Sequence, residues 1–253
     1  MKIGLCAPAG RAAEVKALGF DYLEVNATEI GQMTPETYAR LAAEIKALEI
    51  PVLSANCFCP ASLNLYGSRD SLAAWLQRVM PRLAGLGVKT VVFGSGGARN
   101  RPDNMPYAAA FRSLVQAVRL MGDCAGAYGI TIAVEPLYGT ETNMITCLAE
   151  GAALAAAAEH PSVSLLADAF HMVRGAEDPR EIARAGGVRH VHVALKDGRR
   201  WPVEADAYLP AFMAALKASG YDGGISVEGN SDDWAQDAPR SLRTLRELWG
   251  DPA

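Results

Sequence analysis

Cysteine is scarce in this chain, and its spacing is irregular. The 253 residues include five cysteines, namely Cys6, Cys57, Cys59, Cys124 and Cys147. An odd number without disulfide or zinc-ribbon spacing argues against a secreted domain held together by disulfides. Cys57 and Cys59 fall on one side of an extended segment, which is a weak indication of a metal site. We expect them instead to be ordinary free thiols in a reducing compartment. We therefore expect a cytoplasmic protein.

Long apolar runs and an excess of basic charge are also missing. No stretch approaches the roughly 20 apolar residues that a membrane helix needs, and the N-terminus is not typical of a signal peptide. The 24 basic and 28 acidic residues give a net charge of −4, whereas nucleic-acid-binding domains carry a basic excess or stripe. We expect neither a membrane nor a nucleic-acid partner, which leaves a small anionic or polyhydroxy ligand open.

Hydrophobic residues, by contrast, make up 50% of the chain and recur in eight short runs. These runs are Lys2–Cys6, Asp21–Val25, Val52–Asn56, Thr90–Gly94, Thr131–Glu135, Ser164–Asp168, His190–Ala194 and Gly224–Glu228. Most are nearly continuous apolar segments, which is typical of parallel strands that are covered on both faces.

Segments with helical periodicity lie between most of the runs, and one follows the last. They are Pro35–Leu48, Ser71–Leu86, Tyr107–Ala127, Leu148–Glu159, Glu181–Ala185, Tyr208–Ser219 and Arg240–Trp249. Glycines such as Gly87 stand at several helix ends, where a left-handed residue is favoured. Eight strand–helix alternations predict an α/β fold, a (β/α)8 TIM barrel in a single domain over residues 1–253. An open doubly wound sheet is the alternative, although it usually has fewer strands.

Acidic residues stand at the ends of the fifth, sixth and eighth predicted strands, and a histidine lies near the end of the seventh. They are Glu135, Asp168, Glu228 and His192. Since the carboxyl ends of barrel strands meet at one face, these side chains are expected to converge. Three adjacent carboxylates repel one another unless a cation lies between them. This oxygen-rich set predicts one divalent ion per chain, Mn²⁺ first, with Mg²⁺ or Co²⁺ as alternatives.

Two further histidines accompany this set. His171 lies three residues after Asp168, where it could be a metal ligand, a donor to substrate or a support for a ligand. His190 precedes His192 by two residues on the same strand face. We expect His190 to orient its neighbour rather than to bind the ion.

A glycine-rich segment, Gly94–Gly97, follows the fourth strand. It lacks the Lys-Ser/Thr of a P-loop and the context of a dinucleotide-binding turn, so it does not predict nucleotide binding. We expect a tight loop that lets substrate approach the backbone, with Arg99 or Arg101 as candidate anion contacts.

Four motifs in the second half of the chain occur in a specific order and spacing. They are Val134–Leu137 with Glu141–Asn143, Leu166–Met172, His190–His192 with 197–202, and Gly220–Gly223 with Ile225–Glu228. Together they resemble the xylose isomerase-like barrel superfamily, in particular its ketose 3-epimerases, hydroxypyruvate isomerases and inosose dehydratases. The first half resembles this superfamily mainly in pattern.

The resemblance assigns roles to residues. It implies Glu135, Asp168, His192 and Glu228 as metal ligands, with Glu135 and Glu228 also transferring protons. It further implies that Glu141, His171 and an arginine contact substrate. The loop after His192 is one residue longer than in ketose 3-epimerases, so Arg199 and Arg200 compete for the arginine's place.

The implied activity is a divalent-metal-dependent isomerase or epimerase of a sugar, either a ketose or a keto-acid. It would abstract a proton next to a carbonyl and pass through a cis-enediolate. A metal-dependent dehydratase of a keto-inositol or keto-sugar is the alternative on the same site. Relatives of this group also imply a homodimer or homotetramer.

Departures from the motifs keep the substrate open. Tyr138 and Gly139 replace an Asn-Arg pair, and the loop after the first strand lacks the aromatic residues of the epimerase sugar pocket. An apurinic endonuclease would use the same barrel, but its metal site needs more histidines than the four that this chain has. It would also need a basic DNA-binding face. A sugar-binding barrel without turnover is the non-catalytic alternative.

Overall fold

Eight parallel strands pair in chain order and close into a barrel, because the first strand also pairs with the eighth. This computed structural model describes residues 1–250. The strands are β1 (Ile3–Cys6), β2 (Tyr22–Asn26), β3 (Val52–Asn56), β4 (Thr90–Phe93), β5 (Thr131–Val134), β6 (Val163–Asp168), β7 (Val188–Val193) and β8 (Ile225–Val227). The predicted (β/α)8 fold is confirmed, and the open sheet is wrong. The domain bounds 1–253 stay a prediction, and the last three residues lie outside the described part.

Helices connect the strands around the outside of the barrel. They are α1 (Ala12–Ala17), α2 (Ala27–Gln32), α3 (Pro35–Leu48), α4 (Arg69–Leu86), α5 (Gly96–Arg99), α6 (Tyr107–Gly126), α7 (Leu148–Ala158), α8 (Ala169–Arg174), α9 (Glu181–Ala185), α10 (Leu209–Ala218) and α11 (Trp234–Trp249). All seven predicted helices are present, whereas α1, α2, α5 and α8 are too short to show a helical period. Among residues 1–250, no helix combines the length and apolarity that crossing a membrane requires.

The last helix begins six residues before its predicted start at Arg240. Asp233 caps the N-terminus of α11 by accepting a hydrogen bond from the backbone of Gln236. Pro239 lies inside this helix, and because proline disfavours a helix interior, the sequence indicates a start after it.

Helix ends follow the predicted glycine signal. Gly87 ends α4 with φ of 96°, a left-handed conformation that is accessible to glycine at no steric cost. Its backbone N–H bonds to Ala84 and Leu83, which closes the helix directly before β4.

The barrel interior is divided between apolar and polar side chains. Side chains alternate along a strand, so residues two apart face the same side. Phe93 and Val134 belong to the core between strands and helices, whereas Val92 and Ala133 form a separate cluster with Leu166. This small cluster therefore lies inside the barrel.

Two groups of polar residues share that interior. The first, which we call the polar floor, consists of hydrogen-bonded side chains from β2, β3, β7 and β8: Glu24, Ser54, His190 and Ser226. The second, which we call the mouth cluster, consists of Glu135, Asp168, His192 and Glu228. Each member of the mouth cluster follows an interior residue by two positions, so it also faces inward, nearer the carboxyl ends of the strands.

Candidate functional site

The mouth cluster brings together the four side chains that the sequence predicts to converge. The Nδ1 atom of His192 lies 3.2 Å from Oε1 of Glu135 and 3.3 Å from Oε2 of Glu228. It lies 3.9 Å from Oδ2 of Asp168. One potential ligand atom from each of the four residues lies within 4.8 Å of the other three. Four strands thus contribute to a single compact set.

The donor set and its orientation suit a divalent cation. Three carboxylates and one imidazole make a mostly hard set, which is typical of Mn²⁺ or Mg²⁺ sites rather than of soft metals. Nδ1 of His192 faces the carboxylates, while its Nε2 donates to Oε1 of Glu24 at 2.8 Å. Metal-binding histidines characteristically donate their second ring N–H to such an acceptor. The residues therefore fit one divalent ion.

Burial and mutual charge shift the pKa values within the mouth cluster. Burial raises the pKa of Glu135, and the carboxylate of Glu228 raises it further. Burial also disfavours ionisation of Glu228, but His192 and Arg199 outweigh it and lower that pKa to about 2. For His192, the carboxylates of Glu24 and Glu228 outweigh burial and hold its pKa well above the usual value. A proton on His192 therefore places positive charge where a cation would also be favourable.

Glu24, the central residue of the polar floor, was not predicted to belong to the site. It is fully buried, and its Oε2 accepts hydrogen bonds from Ser54 at 2.5 Å, Ser226 at 2.6 Å and His190 at 2.7 Å. Burial raises its pKa, but His192 and His190 outweigh this and hold the pKa well below the usual value. His190 thus acts on His192 through a shared carboxylate. The available signal was a lone acid within an apolar strand.

Two other unpredicted residues shape the mouth cluster. Asn56, the last residue of β3, donates from Nδ2 to Oε1 of Glu228 at 2.8 Å. At Gly94, a Cβ atom would lie 2.1 Å from Oε2 of Glu135. The first glycine of the glycine-rich segment therefore leaves room for a carboxylate of the site.

A cavity of about 380 Å³ opens above the mouth cluster. Its wall consists of Asn26, Thr28, Cys57, Cys59, Pro60, Ala61, Ser95, Gly96, Gly97, Glu135, Leu137, Glu141, His171, Arg199 and Glu228. The loops after β2, β3, β4 and β5 contribute most of this wall. The cavity is large enough for a small polar molecule in contact with two of the clustered carboxylates.

His171 lines this cavity, and one of its two ring nitrogens is without a partner among the described residues. The backbone N–H of Tyr138 donates to Nδ1 of His171 at 3.3 Å, so the ring proton of a neutral His171 is on Nε2. Within residues 1–250, this buried Nε2 has no hydrogen-bond partner. Its position suits a donor to a ligand oxygen, the second of the three roles that the sequence leaves open.

Arg199 and Arg200 have different surroundings. Arg199 lines the cavity, donates from Nη2 to Oε2 of Glu228, and has Nη1 3.6 Å from Oε1 of Glu141. Arg200 instead pairs with Asp232 at 2.7 Å on the surface. The geometry favours Arg199, and it places Glu141 beside it at the cavity wall.

Arg99 and Arg101 do not lie where an anion contact would need them. Arg99 is fully buried and donates to the backbone carbonyls of Phe93 and Glu135 at 3.2 and 2.8 Å. Burial lowers its pKa to about 10, so it stays protonated at neutral pH. Arg101 donates to the carbonyl of Met105 at 2.6 Å. The expectation of an anion contact is wrong for Arg99, because backbone carbonyls bind its buried guanidinium, and Arg101 does not line the cavity.

Comparisons with known proteins agree with this architecture. The chain is 28% identical over 155 residues to 3-dehydroshikimate dehydratase of Pseudomonas putida, covering 53% of this chain and 24% of that protein. It is 26% identical over 179 residues to ketose 3-epimerase of Arthrobacter globiformis, covering 70% of this chain and 62% of that protein. In both comparisons the match spans less than two thirds of the relative's length.

A solved structure extends the likeness over the whole barrel. The crystal structure of D-psicose 3-epimerase in the presence of D-fructose has a TM-score of 0.87 at 22% identity, and the match covers 99% of this chain and 100% of that one. At this identity the likeness establishes the fold. A family model described as xylose isomerase-like TIM barrel matches residues 12–248. The chain therefore belongs to the xylose isomerase-like TIM barrel family.

Proposed function

We propose that this protein is a divalent-metal-dependent isomerase or epimerase that acts on a neutral ketose. The observation that carries the proposal is the position of the mouth cluster at the base of a polar cavity. Similarity to ketose 3-epimerase supports the choice of reaction. The proposed ion is Mn²⁺, held by Glu135, Asp168, His192 and Glu228. When bound, it supplies a Lewis acid that stabilises negative charge on substrate oxygens next to the reacting carbon.

Glu135 and Glu228 are the proposed proton-transfer residues. Both line the cavity, whereas within residues 1–250 the other two members of the mouth cluster do not. One carboxylate removes the proton next to the carbonyl, which yields a cis-enediolate, and the other returns a proton. Return to the same carbon from the opposite side gives an epimer, and return to the neighbouring carbon gives an isomer. Asn56 and Arg199 hold Glu228 in place through both of its oxygens.

The charges of the cavity wall favour a neutral substrate over a keto-acid or a phosphorylated sugar. Among the described residues, Arg199 is its only arginine or lysine, and it already pairs with Glu228 and Glu141. A substrate carboxylate or phosphate would have to compete for that guanidinium beside three acidic side chains. Hydroxyl groups, by contrast, accept from Nε2 of His171 and from Arg199, and they donate to Glu141.

A dehydratase is the second candidate, and the match to 3-dehydroshikimate dehydratase favours it. The same proton abstraction becomes a lyase reaction if the intermediate expels a β-hydroxyl group instead of taking back a proton. That relative's name denotes a carboxylate-bearing substrate, for which this cavity wall offers no unpaired cation among residues 1–250.

Deuterium incorporation tests the proposal. The metal-stripped chain is loaded with Mn²⁺ and incubated in D₂O with unphosphorylated ketohexoses and ketopentoses, with hydroxypyruvate as the acidic comparison. NMR is expected to show exchange of a proton next to the carbonyl of a ketose, together with its epimer or isomer. Loss of water identifies the dehydratase. A sugar bound without exchange contradicts both candidates and identifies a non-catalytic barrel.

A further inference from the structure

Arg99 is a fully buried charged side chain that the proposed mechanism does not use. In the described chain, it is the one such side chain outside the mouth cluster and the polar floor. It is the last residue of α5 and lies two residues after the end of the glycine-rich segment. No carboxylate among residues 1–250 pairs with its guanidinium, and its Nε has no hydrogen-bond partner there. A buried cation without a paired acid costs free energy unless it is well hydrogen-bonded. Its backbone partners therefore define what Arg99 does.

The three backbone carbonyls that accept hydrogen bonds from Arg99 lie at the end of β4 and at the two ends of the loop that follows β5. Nη1 donates to Phe93, the last residue of β4, and to Glu135, while Nη2 reaches the carbonyl of Ile145 at 3.5 Å. Glu135 and Ile145 bracket the loop over residues 136–144, which carries Glu141. A single planar guanidinium thus binds both ends of this loop. One end is Glu135, a proposed proton-transfer residue, and the loop itself carries Glu141, a proposed substrate contact.

This loop needs such a restraint at its far end. Ile145 has a φ of 60°, and a left-handed backbone is unfavourable for a β-branched residue. Its carbonyl also accepts from the backbone N–H of Leu137 at 3.2 Å, which closes the neck of the loop. The hydrogen bonds from Leu137 and Arg99 offset the cost of this conformation.

The segment around Arg99 contacts the same loop at two more places. A Cβ atom at Gly96 would lie 2.7 Å from the carbonyl oxygen of Glu141, so glycine permits the backbones to pack closely. Asn143 accepts from the backbone of Arg101 at 2.7 Å and donates back to its carbonyl at 3.0 Å. The glycine-rich segment therefore packs closely against the neighbouring loop.

We infer that Arg99 is a positioning residue that fixes Glu135 and Glu141 relative to each other by clamping the loop between them. The catalytic relevance of this inference rests on the proposed function, whereas the clamp itself does not. Arg99 touches neither the cavity nor the mouth-cluster side chains, so its effect is transmitted through the backbone.

Hydrogen–deuterium exchange of the backbone tests the clamp without any assumption about turnover. Arg99→Met removes all three hydrogen bonds, and Arg99→Lys keeps a cation without the planar fork. Arg101→Met is the matched control, because within residues 1–250 that side chain donates to Met105 alone. We expect exchange in residues 136–146 to be at least about tenfold faster in both Arg99 variants, with the barrel strands still protected. The control is expected to exchange like the wild type.

Kinetics with the ketose that undergoes exchange provide the second measurement. Displacing a proton-transfer group by about 1 Å costs on the order of 100-fold in rate. We expect kcat to fall about 10–100-fold in Arg99→Met, KM to rise, and Arg99→Lys to lie between this variant and the wild type.

The inference is overturned if exchange in the loop is also faster in Arg101→Met, or if the faster exchange in the Arg99 variants extends to all strands. It is also overturned if a folded Arg99→Lys variant shows unchanged exchange in the loop. If Arg99→Met does not fold, Arg99→Lys decides the question alone. If the wild type acts on no ketose, the proposed function fails, while the exchange data still decide whether the clamp exists.

Discussion

The barrel contains two buried acidic centres, one above the other, and they differ in how their charge is satisfied. In the polar floor, a single carboxylate, Glu24, receives four hydrogen bonds from side chains. In the mouth cluster, three carboxylates surround one imidazole nitrogen. The first centre has enough donors within the protein, and the second has an excess of acceptors. Such an excess is favourable only with a cation, and it distinguishes a ligand site from a structural one.

The pKa shifts reflect the same difference. Burial disfavours the charged form of Glu24, but its two histidines outweigh this and lower the pKa. For Glu135, burial and the nearby Glu228 prevail and the pKa is raised. Equal burial therefore has opposite net results, depending on the number of donors each carboxylate receives.

The largest expected effect lies in the mouth cluster. Glu228→Gln or Glu135→Gln keeps the shape of the side chain but removes a proposed proton-transfer group. We expect turnover to fall about 10²–10⁴-fold, measured as deuterium incorporation into a ketose. Glu159→Gln, at the exposed C-cap of α7, is the control. Either cluster variant retaining wild-type turnover would remove that residue from the mechanism.

A smaller effect is expected from the polar floor. In Glu24→Gln the amide carries no charge, so it supports the Nε2–H of His192 less strongly. We expect Mn²⁺ affinity to fall about 10–100-fold, as for other partners of metal-binding histidines, measured by calorimetry. Ser54→Ala removes one donor to Glu24 without a contact to His192, so its affinity should change little. Unchanged affinity in Glu24→Gln would mean that the two centres are independent.

The proposed ion competes with the proton on His192, so metal binding is expected to depend on pH. The folded pKa of His192 is raised, and Mn²⁺ requires a free Nδ1, so affinity should rise about tenfold per pH unit below that pKa. The metal-free chain should show the opposite trend. The stability from this proton is full below the unfolded pKa of about 6.5 and is lost as pH rises through the folded value. Calorimetry across pH measures how Mn²⁺ affinity changes, and thermal melts measure how the stability of the metal-free chain changes. If affinity and stability changed with pH in the same direction, the prediction would be contradicted.

The smallest expected effect concerns the cavity wall. His171→Ala removes the proposed hydrogen bond to substrate, so KM should rise about tenfold while Mn²⁺ affinity should stay unchanged. The contact from Asp168 to this residue uses the backbone N–H of residue 171, so it persists in the variant. Loss of metal would instead make His171 a ligand.

The mouth cluster could be predicted from the sequence because its acids end apolar strands. In a parallel barrel, the position of a residue at a strand's carboxyl end is enough to place it at the mouth. Glu135, Asp168 and Glu228 follow this rule directly. The closed barrel could be predicted for a related reason, since eight apolar runs alternate with helical segments.

The polar floor and the clamp depend on contacts between distant parts of the chain. Glu24 receives hydrogen bonds from residues up to 202 positions away, and nothing near it in the sequence indicates those donors. Arg99 follows a glycine-rich segment that is also typical of anion-binding loops. Its inward direction is set by carbonyls at the ends of β4 and of the loop after β5.

The central claim is that the mouth cluster is the metal site, and a Mn²⁺ titration of the metal-stripped chain followed by EPR tests it most directly. Asp168→Asn is the companion variant, because asparagine can still cap α8 as Asp168 does. The account predicts one tight site per chain in the wild type and its loss in the variant. No specific site, or a site that Asp168→Asn leaves unchanged, would contradict it.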